Sequence, residues 1–377
     1  TRRPLPNGLR PEQCVGEDPS LESPFLDYPR IFYYLTESKI DVEIKYTNEA
    51  REGAWYPIQV GYFDKSVDYF ALVNPLVFKN KLKIIFFYHE ADDPRMISRR
   101  IQELCNDYNY HNVSFVSGNS LASDYKYCYY WPELEYMYQR SVDFSKASLT
   151  HFKRRSKHFV ALCRIDKLWR KVFMANLWDQ GLHNRGYFSY CQENLGEQDD
   201  WDSVDLYNEF LAEQEQVCKD FIKAGPFYVD DLTSKQRNDY SVLMDDIYQD
   251  SYFSYVMETF IDVDNSRGQF ITEKTFKPIL HCQPFICLAE HNHLKHLREL
   301  GYHTFDNIFD ESYDDIPNNQ ERFNAVMWLS QDLARIDLDT AHDMYTRCGD
   351  RLLDNRVLLE NINGARLRQL ATDLNAI

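Results

Sequence analysis

The sequence predicts a two-domain α/β protein with a C-terminal helical tail, and three observations carry that expectation. Between Ser251 and Phe305, strand-like and helix-like segments alternate as they do in a parallel α/β unit. From Leu82 to Val116, an apolar run, an amphipathic stretch and a second apolar run repeat the alternation nearer the N-terminus. Beyond Arg322 only helical spacing remains. At 377 residues, 44% of them hydrophobic and 15% aromatic, the chain holds enough apolar material for two cores. The expected boundaries are 1–150 for a first α/β domain, 151–330 for a second, and 331–377 for terminal helices.

Taken in order, residues 1–30 are proline-rich without periodicity and read as an irregular arm. Short β-like runs follow at Ile31–Leu35, Val42–Tyr46, Pro57–Tyr62 and Tyr69–Val73. Leu82–Tyr88 is the most apolar of the early runs and reads as a central strand. Ile97, Ile101 and Leu104 put a helix over Met96–Tyr108, and Val113–Val116 is the next strand. Tyr125–Tyr138 is dense in aromatics, which build cores and domain interfaces more often than sugar platforms. Lys153, Arg154, Arg155 and Lys157 make Ser141–Lys157 a basic, linker-like stretch, where the domain boundary is expected.

In the second half, His158–Cys163 reads as a strand and Leu168–Gln180 as a helix closed by Gly181. Lys167, Arg170 and Lys171 crowd the start of that helix, against its dipole. A bound anion would relieve the conflict; projection into solvent is the plainer alternative. Asn184–Gln192 gives another strand, Trp201–Lys223 a helix, and Ala224–Gln249 a mixed insertion. Tyr252–Ile261 is a buried strand by its aromatic and β-branched content, followed by the polar loop Asp262–Gln269. Thr272 is placed to cap a helix, Pro284 opens a short strand, and Leu294–Leu300 is a helix stopped at Gly301. Phe309–Ile316 is an acidic loop, and Arg322–Leu333, Ala341–Leu353 and Val357–Leu374 read as helices.

Chemistry concentrates at Glu273-Lys274. In parallel α/β units ligands bind beyond the carboxyl ends of strands, where this pair is expected. A carboxylate there can accept two hydrogen bonds from a ribose diol, and an adjacent ammonium at a helix N-terminus can neutralise a phosphate. On spacing alone the plainer reading is stronger: Glu273 complements the helix dipole and Lys274 is solvated.

Met257-Glu258-Thr259, Phe270-Ile271-Thr272-Glu273-Lys274 and Pro284-Phe285-Ile286 together resemble the donor-binding half of the alpha-1,3-fucosyltransferases. That pattern runs F-x-N-S, a gap, Y-[IV]-T-E-K, a helix, then P-[IV] and an apolar strand. Thr259 replaces an Asn and Phe270 a Tyr. The resemblance implies a GT-B fold, two Rossmann-like domains facing a cleft, and an inverting, metal-independent glycosyltransferase without a cofactor. It assigns donor binding to Arg164, Arg170, Glu258, Glu273 and Lys274. Glu273 would hold the ribose, while Arg170 and Lys274 would stabilise the departing diphosphate. The implied donor is a nucleotide diphosphate sugar, with GDP-fucose the first choice, and the acceptor a hydroxyl of a glycan or other molecule. A strand followed by E-S-P holds the family's catalytic base; here Leu82–Tyr88 runs into His89-Glu90-Ala91-Asp92-Asp93-Pro94. Glu90 stands at the matching place, with Asp92 and Asp93 as competitors. Without the resemblance, a solvated acidic turn is preferred.

Other patterns point to other classes less strongly. Asp262-Val263-Asp264 has the form of a D-x-D metal motif, common by chance among 59 acidic residues. His291, His293 and His296 lack a completing ligand set and read as surface histidines. The sequence contains no P-loop, no G-x-G-x-x-G and no G-x-S-x-G pattern. The net charge, 42 − 59 = −17, disfavours nucleic acid as a partner, including transfer to modified bases. No run is long and apolar enough to suggest a membrane span. Nine scattered cysteines with no C-x-x-C predict reduced thiols and a cytoplasmic setting. An inactive carbohydrate-binding or structural protein on the same fold stays open beside the enzyme.

Overall fold

The structure is a computed structural model. It describes residues 55–60, 63, 65–71, 73, 75–79, 81–88, 93–147, 153–193, 204–237, 239, 242–261, 268–362 and 366. The N-terminal arm, the runs at Ile31–Leu35 and Val42–Tyr46, Glu90, Asp92, Asp262 and Asp264 lie outside the described residues, as does most of the chain after Ile362. Two compact units form. The first takes the described residues of Thr1–Glu133, Ser266–Phe270 and Ile362–Ile377; the second takes those of Leu134–Asn265 and Ile271–Asn361.

The first unit is built on four parallel strands, β1 (Trp55–Gln59), β2 (Lys83–Tyr88), β3 (Val113–Ser117) and β4 (Cys128–Tyr130), in the order β1-β2-β3-β4. Every residue of β2 is buried, as expected of a central strand covered on both faces. Helices α1 (Pro75–Lys79) and α2 (Pro94–Asp107) belong to this unit, and α2 turns Ile97, Ile101 and Leu104 into the core. Within Tyr69–Val73, expected as a strand, the residues Tyr69–Ala71 instead form a turn. Asp68 Oδ1 accepts from the backbone N–H groups of Phe70 and Ala71 at 3.1 and 3.0 Å. That local bonding replaces a ladder, and the apolar side chains Tyr69, Phe70 and Val73 are buried from the turn.

The second unit holds another parallel sheet, ordered β6-β5-β7-β8. Its strands are β5 (Lys157–Ile165), β6 (Tyr187–Glu193), β7 (Ser251–Met257) and β8 (Phe285–Leu288). Around it run α3 (Glu133–Ser141), α4 (Leu168–Asp179), α5 (Val204–Ala224), α6 (Asp245–Gln249), α7 (Glu273–Leu280), α8 (His293–Glu299), α9 (Asn319–Arg335), α10 (Leu338–Arg347) and α11 (Gly349–Asn361). The mixed α/β character and the two parallel sheets are compatible with Rossmann-like units. Gly181 and Gly301 follow α4 and α8 with φ of 70° and 96°. The segment Ala341–Leu353 is broken at Cys348-Gly349 into two helices instead of one. Asn184–Gln192 becomes a strand only from Tyr187, after a 3-10 turn at Leu182–Arg185.

The boundary between units falls at Glu133/Leu134, not within Ser141–Lys157. Arg155, expected in a linker, is 4% exposed and sits in the second unit's interior. Its guanidinium donates to Tyr248 O at 2.8 Å, Ser251 O at 2.5 Å and the Tyr345 hydroxyl at 2.6 Å. Upstream, Tyr138 is buried with its ring 6.3 Å from that of Phe276, so α3 is part of the second core. The helices through Asn361 also belong to the second unit, with α11 packed on α7. Arg356 of α11 bonds Leu280 O at 2.8 Å and Phe144 O at 2.9 Å. Among the described residues no helix is long and apolar enough to cross a membrane, and all eight described cysteines are buried and unpaired.

Candidate functional site

The site begins where β7 ends. Glu258 N–H still donates to Leu288 O of β8 at 3.0 Å, but Glu258 O accepts from Arg170 of α4 at 2.5 Å. With that carbonyl taken by a side chain the ladder stops, which is why β7 ends at Met257 and not at Ile261. The Glu258 carboxylate, 1% exposed, lies within reach of four donors. Oε1 accepts from Thr272 N at 3.1 Å and Thr275 Oγ1 at 2.7 Å; Oε2 accepts from Thr272 Oγ1 at 2.5 Å and Thr259 N at 3.2 Å. Such saturation offsets the desolvation of a buried carboxylate.

This carboxylate fixes the start of α7. Thr272 is its N-cap, with Oγ1 accepting from Lys274 N at 3.4 Å. The Lys274 ammonium points back over the same turn, donating to Thr272 Oγ1 at 3.0 Å and Thr259 Oγ1 at 3.2 Å, and pairing with Glu273 Oε1 at 3.2 Å. Burial pushes the Glu273 carboxyl up, but the ammonium groups of Lys274 and Lys277 outweigh it and lower its pKa to about 2. Glu273 is therefore ionised across the physiological range. Lys277 stands one turn further along α7, half-buried, with burial lowering its pKa. Glu273 favours its charge, while Lys274 and Arg164 oppose it.

The cations expected at the start of α4 find partners inside the protein. Lys171 pairs with Asp166 at 3.1 Å, and Asp166 also accepts from the Tyr190 hydroxyl at 2.5 Å. Lys167 reaches Thr259 O at 3.4 Å. Arg170 is 4% exposed, clasps Glu258 O and lies over the Trp169 ring. Their conflict with the helix dipole is thus met by carbonyls and a carboxylate, and two of the three cations tie α4 to the segment after β7. Arg164, at the end of β5, pairs with Glu193 of β6 at 3.0 Å, and Glu193 also accepts from Ser234 at 2.9 Å.

The fold accordingly brings Arg164, Arg170, Glu258, Glu273 and Lys274 to one region, at the carboxyl ends of β5 and β7 and the start of α7. Arg170 and Glu258 are its buried frame. Glu273, Lys274 and Arg164 keep 26%, 30% and 23% of their side-chain surface exposed and form its accessible face. Thr275 and Lys277 were not singled out from the sequence. The i, i+4 spacing of Lys277 from Glu273 on one helix is the signal that could have found it.

Two expectations outside this region change. His293 is not a surface residue: it is 1% exposed, with Nε2 3.4 Å from Thr275 Oγ1, and burial lowers its pKa. The acidic loop expected at Phe309–Ile316 supplies Asp314, whose carboxylate accepts from Leu294 N and Lys295 N at 2.8 and 2.9 Å. That carboxylate satisfies two amides of the first turn of α8. In the first unit, Asp93 caps α2, accepting from Arg95 N at 2.9 Å and pairing with its guanidinium at 2.7 Å. Among the described residues no group of three or more His, Cys, Asp or Glu side chains could hold a metal ion. What the second unit offers is a partly open face carrying Arg164, Lys274 and Lys277, with the carboxylates of Glu193 and Glu273 set against them.

No family model, curated protein or solved structure matches this chain. The fucosyltransferase resemblance therefore rests on the motif residues alone.

Proposed function

We propose that this chain is an inverting glycosyltransferase that moves a sugar, fucose as the first choice, from a nucleotide diphosphate to a hydroxyl of a glycan or other acceptor. The observation that carries the reading is the start of α7. An ionised Glu273 and the cation Lys274 lie side by side beyond the end of a parallel strand, on a helix start held by the buried Glu258. A diol-accepting carboxylate and a cationic helix start are what a nucleoside diphosphate requires. In the reaction, the acceptor oxygen forms a bond to the anomeric carbon as that carbon's bond to the β-phosphate oxygen breaks. The acceptor proton passes to Glu90, and the electron pair leaves with the diphosphate, whose charge the cations stabilise. The GT-B arrangement, independence of a metal and a cytoplasmic setting belong to this proposal. The unpaired state of the described cysteines accords with the last of these.

One observation favours a second reading. The Lys274 ammonium already has three partners within the protein, as a purely structural lysine would. A carbohydrate-binding or structural protein that kept the fold and lost the chemistry would look the same at this residue. A thermal-shift panel of nucleoside diphosphates and their sugars separates the readings. Selective stabilisation by one nucleotide, with transfer or slow hydrolysis of its sugar, is expected. Absence of any shift across the panel sinks the enzyme reading.

A further inference from the structure

Among the cations at this site, Lys274 and Lys277 differ in what their ammonium protons do. An ammonium has three donors and no acceptor. Those of Lys274 meet Thr272 Oγ1, Thr259 Oγ1 and Glu273 Oε1. To hold a phosphate, Lys274 would have to release one of them, and Thr272 is the N-cap of α7. The Lys277 ammonium makes no hydrogen bond and no ion pair among the described residues. It is half-buried, so its ammonium is partly withheld from water and yet reachable.

Helix geometry places Lys277 on the same face as Glu273 and Lys274, four and three residues away. Arg164 approaches from the end of β5. The formal charges nearly balance without Lys277. Arg164 pairs with Glu193, and Lys274 pairs with Glu273. Lys277 is then the surplus positive charge, with Glu273 as its main counterweight and Asp239 a lesser one, against the two further cations Lys274 and Arg164. An unbonded, half-buried ammonium that shares its one near carboxylate with a second lysine is undercompensated when the site is empty, and an oxyanion entering it supplies the missing partner.

We propose that Lys277, with Arg164 beside it, is the diphosphate-binding cation of this site, and that Lys274 is a positioning residue holding Thr272 and Glu273. The assignment rests on reading the site as one for a nucleoside diphosphate, and it exchanges the role that the motif suggests for Lys274. The ligand chemistry is a pyrophosphate-type oxyanion, free or carried by a nucleoside.

Calorimetric titration of the full chain with inorganic pyrophosphate and, separately, with guanosine diphosphate tests it. Lys277→Met keeps the methylene stem and removes the charge. It should weaken pyrophosphate binding about tenfold or more, the scale of a lost charge-assisted hydrogen bond, while the melting temperature does not fall. Lys277→Arg should restore most of the affinity. Lys274→Met should lower the melting temperature and weaken pyrophosphate less than Lys277→Met does. Equal pyrophosphate affinity in wild type and Lys277→Met overturns the assignment, as does a larger loss from Lys274→Met or no binding by the wild type. The broader reading has its own outcomes. Lys277-dependent pyrophosphate binding without guanosine diphosphate binding or sugar transfer supports this inference and removes the transferase. Sugar transfer with binding indifferent to Lys277 does the reverse.

Discussion

Thr272 meets Glu258 twice, through its backbone N–H at 3.1 Å and its hydroxyl at 2.5 Å, so one buried carboxylate binds both arms of a helix cap. Fourteen residues separate the two in sequence. The contact turns a generic helix start into a fixed platform, because the cap residue cannot rotate without stranding a buried charge.

Glu258→Gln is expected to destabilise the second unit. An amide nitrogen would face donors on one side of a site where every contact is an N–H or O–H, leaving at least one buried donor unmade. The cost should be about 1–3 kcal/mol. Glu258→Ala should cost more, since it strands all four donors. Urea unfolding measures both, and a Gln variant as stable as wild type would show that the carboxylate's charge is not needed there.

Glu273 gives a pH signature. Its folded pKa of about 2 lies below the ordinary 4.5, so its ionised form contributes stability that is full above pH 4.5. That contribution is lost as the pH falls from 4.5 toward 2. The stability gap between wild type and Glu273→Gln should follow that window. A gap that stays constant down to pH 2 would contradict the pairing with Lys274 and the influence of the nearby Lys277 charge.

Lys277 predicts a slope of the same sign, stability rising with pH, but in the alkaline range. Burial lowers its folded pKa below the ordinary 10.5, against Glu273 and Asp239, which raise it, and together with Lys274 and Arg164, which lower it further. Its charge is therefore destabilising at neutral pH, and the penalty is relieved as pH rises through the folded pKa toward 10.5. Lys277→Met should be more stable than wild type at pH 7, with the difference shrinking in alkali. Pyrophosphate should shrink the difference too, by stabilising wild type alone. Thermal melts across pH, with and without pyrophosphate, check both statements.

For the transferase itself, Glu90→Gln should lower turnover by on the order of 10²–10⁴ while nucleotide affinity persists. Asp93→Asn should leave turnover close to wild type, because Asp93 is occupied as the cap of α2 and Asn caps nearly as well. An inactive Asp93→Asn with an active Glu90→Gln would reassign the base.

The sequence by itself determined the parts of this protein whose physics is local. Leu82–Tyr88 reads as a buried strand because a run so largely apolar, with Lys83 its one charged residue, suits a covered position, and β2 occupies Lys83–Tyr88. Thr272 reads as a cap because capping involves a residue and its neighbours two or three places on. Gly181 and Gly301 read as helix stops because a left-handed residue costs glycine little. What only the tertiary structure decided is the partner of each charge. Arg170 and Glu258 are 88 residues apart, Arg155 and Tyr345 are 190, and the register of β5 beside β7 brings such groups together. The same holds for α8, whose Leu294 amide is met by the Asp314 carboxylate twenty residues away. Lys274 and Lys277 are three residues apart on one helix and equally charged in the sequence. Two threonines and a glutamate satisfy one and leave the other unbonded, a difference set by side-chain directions in space that no spacing of letters contains.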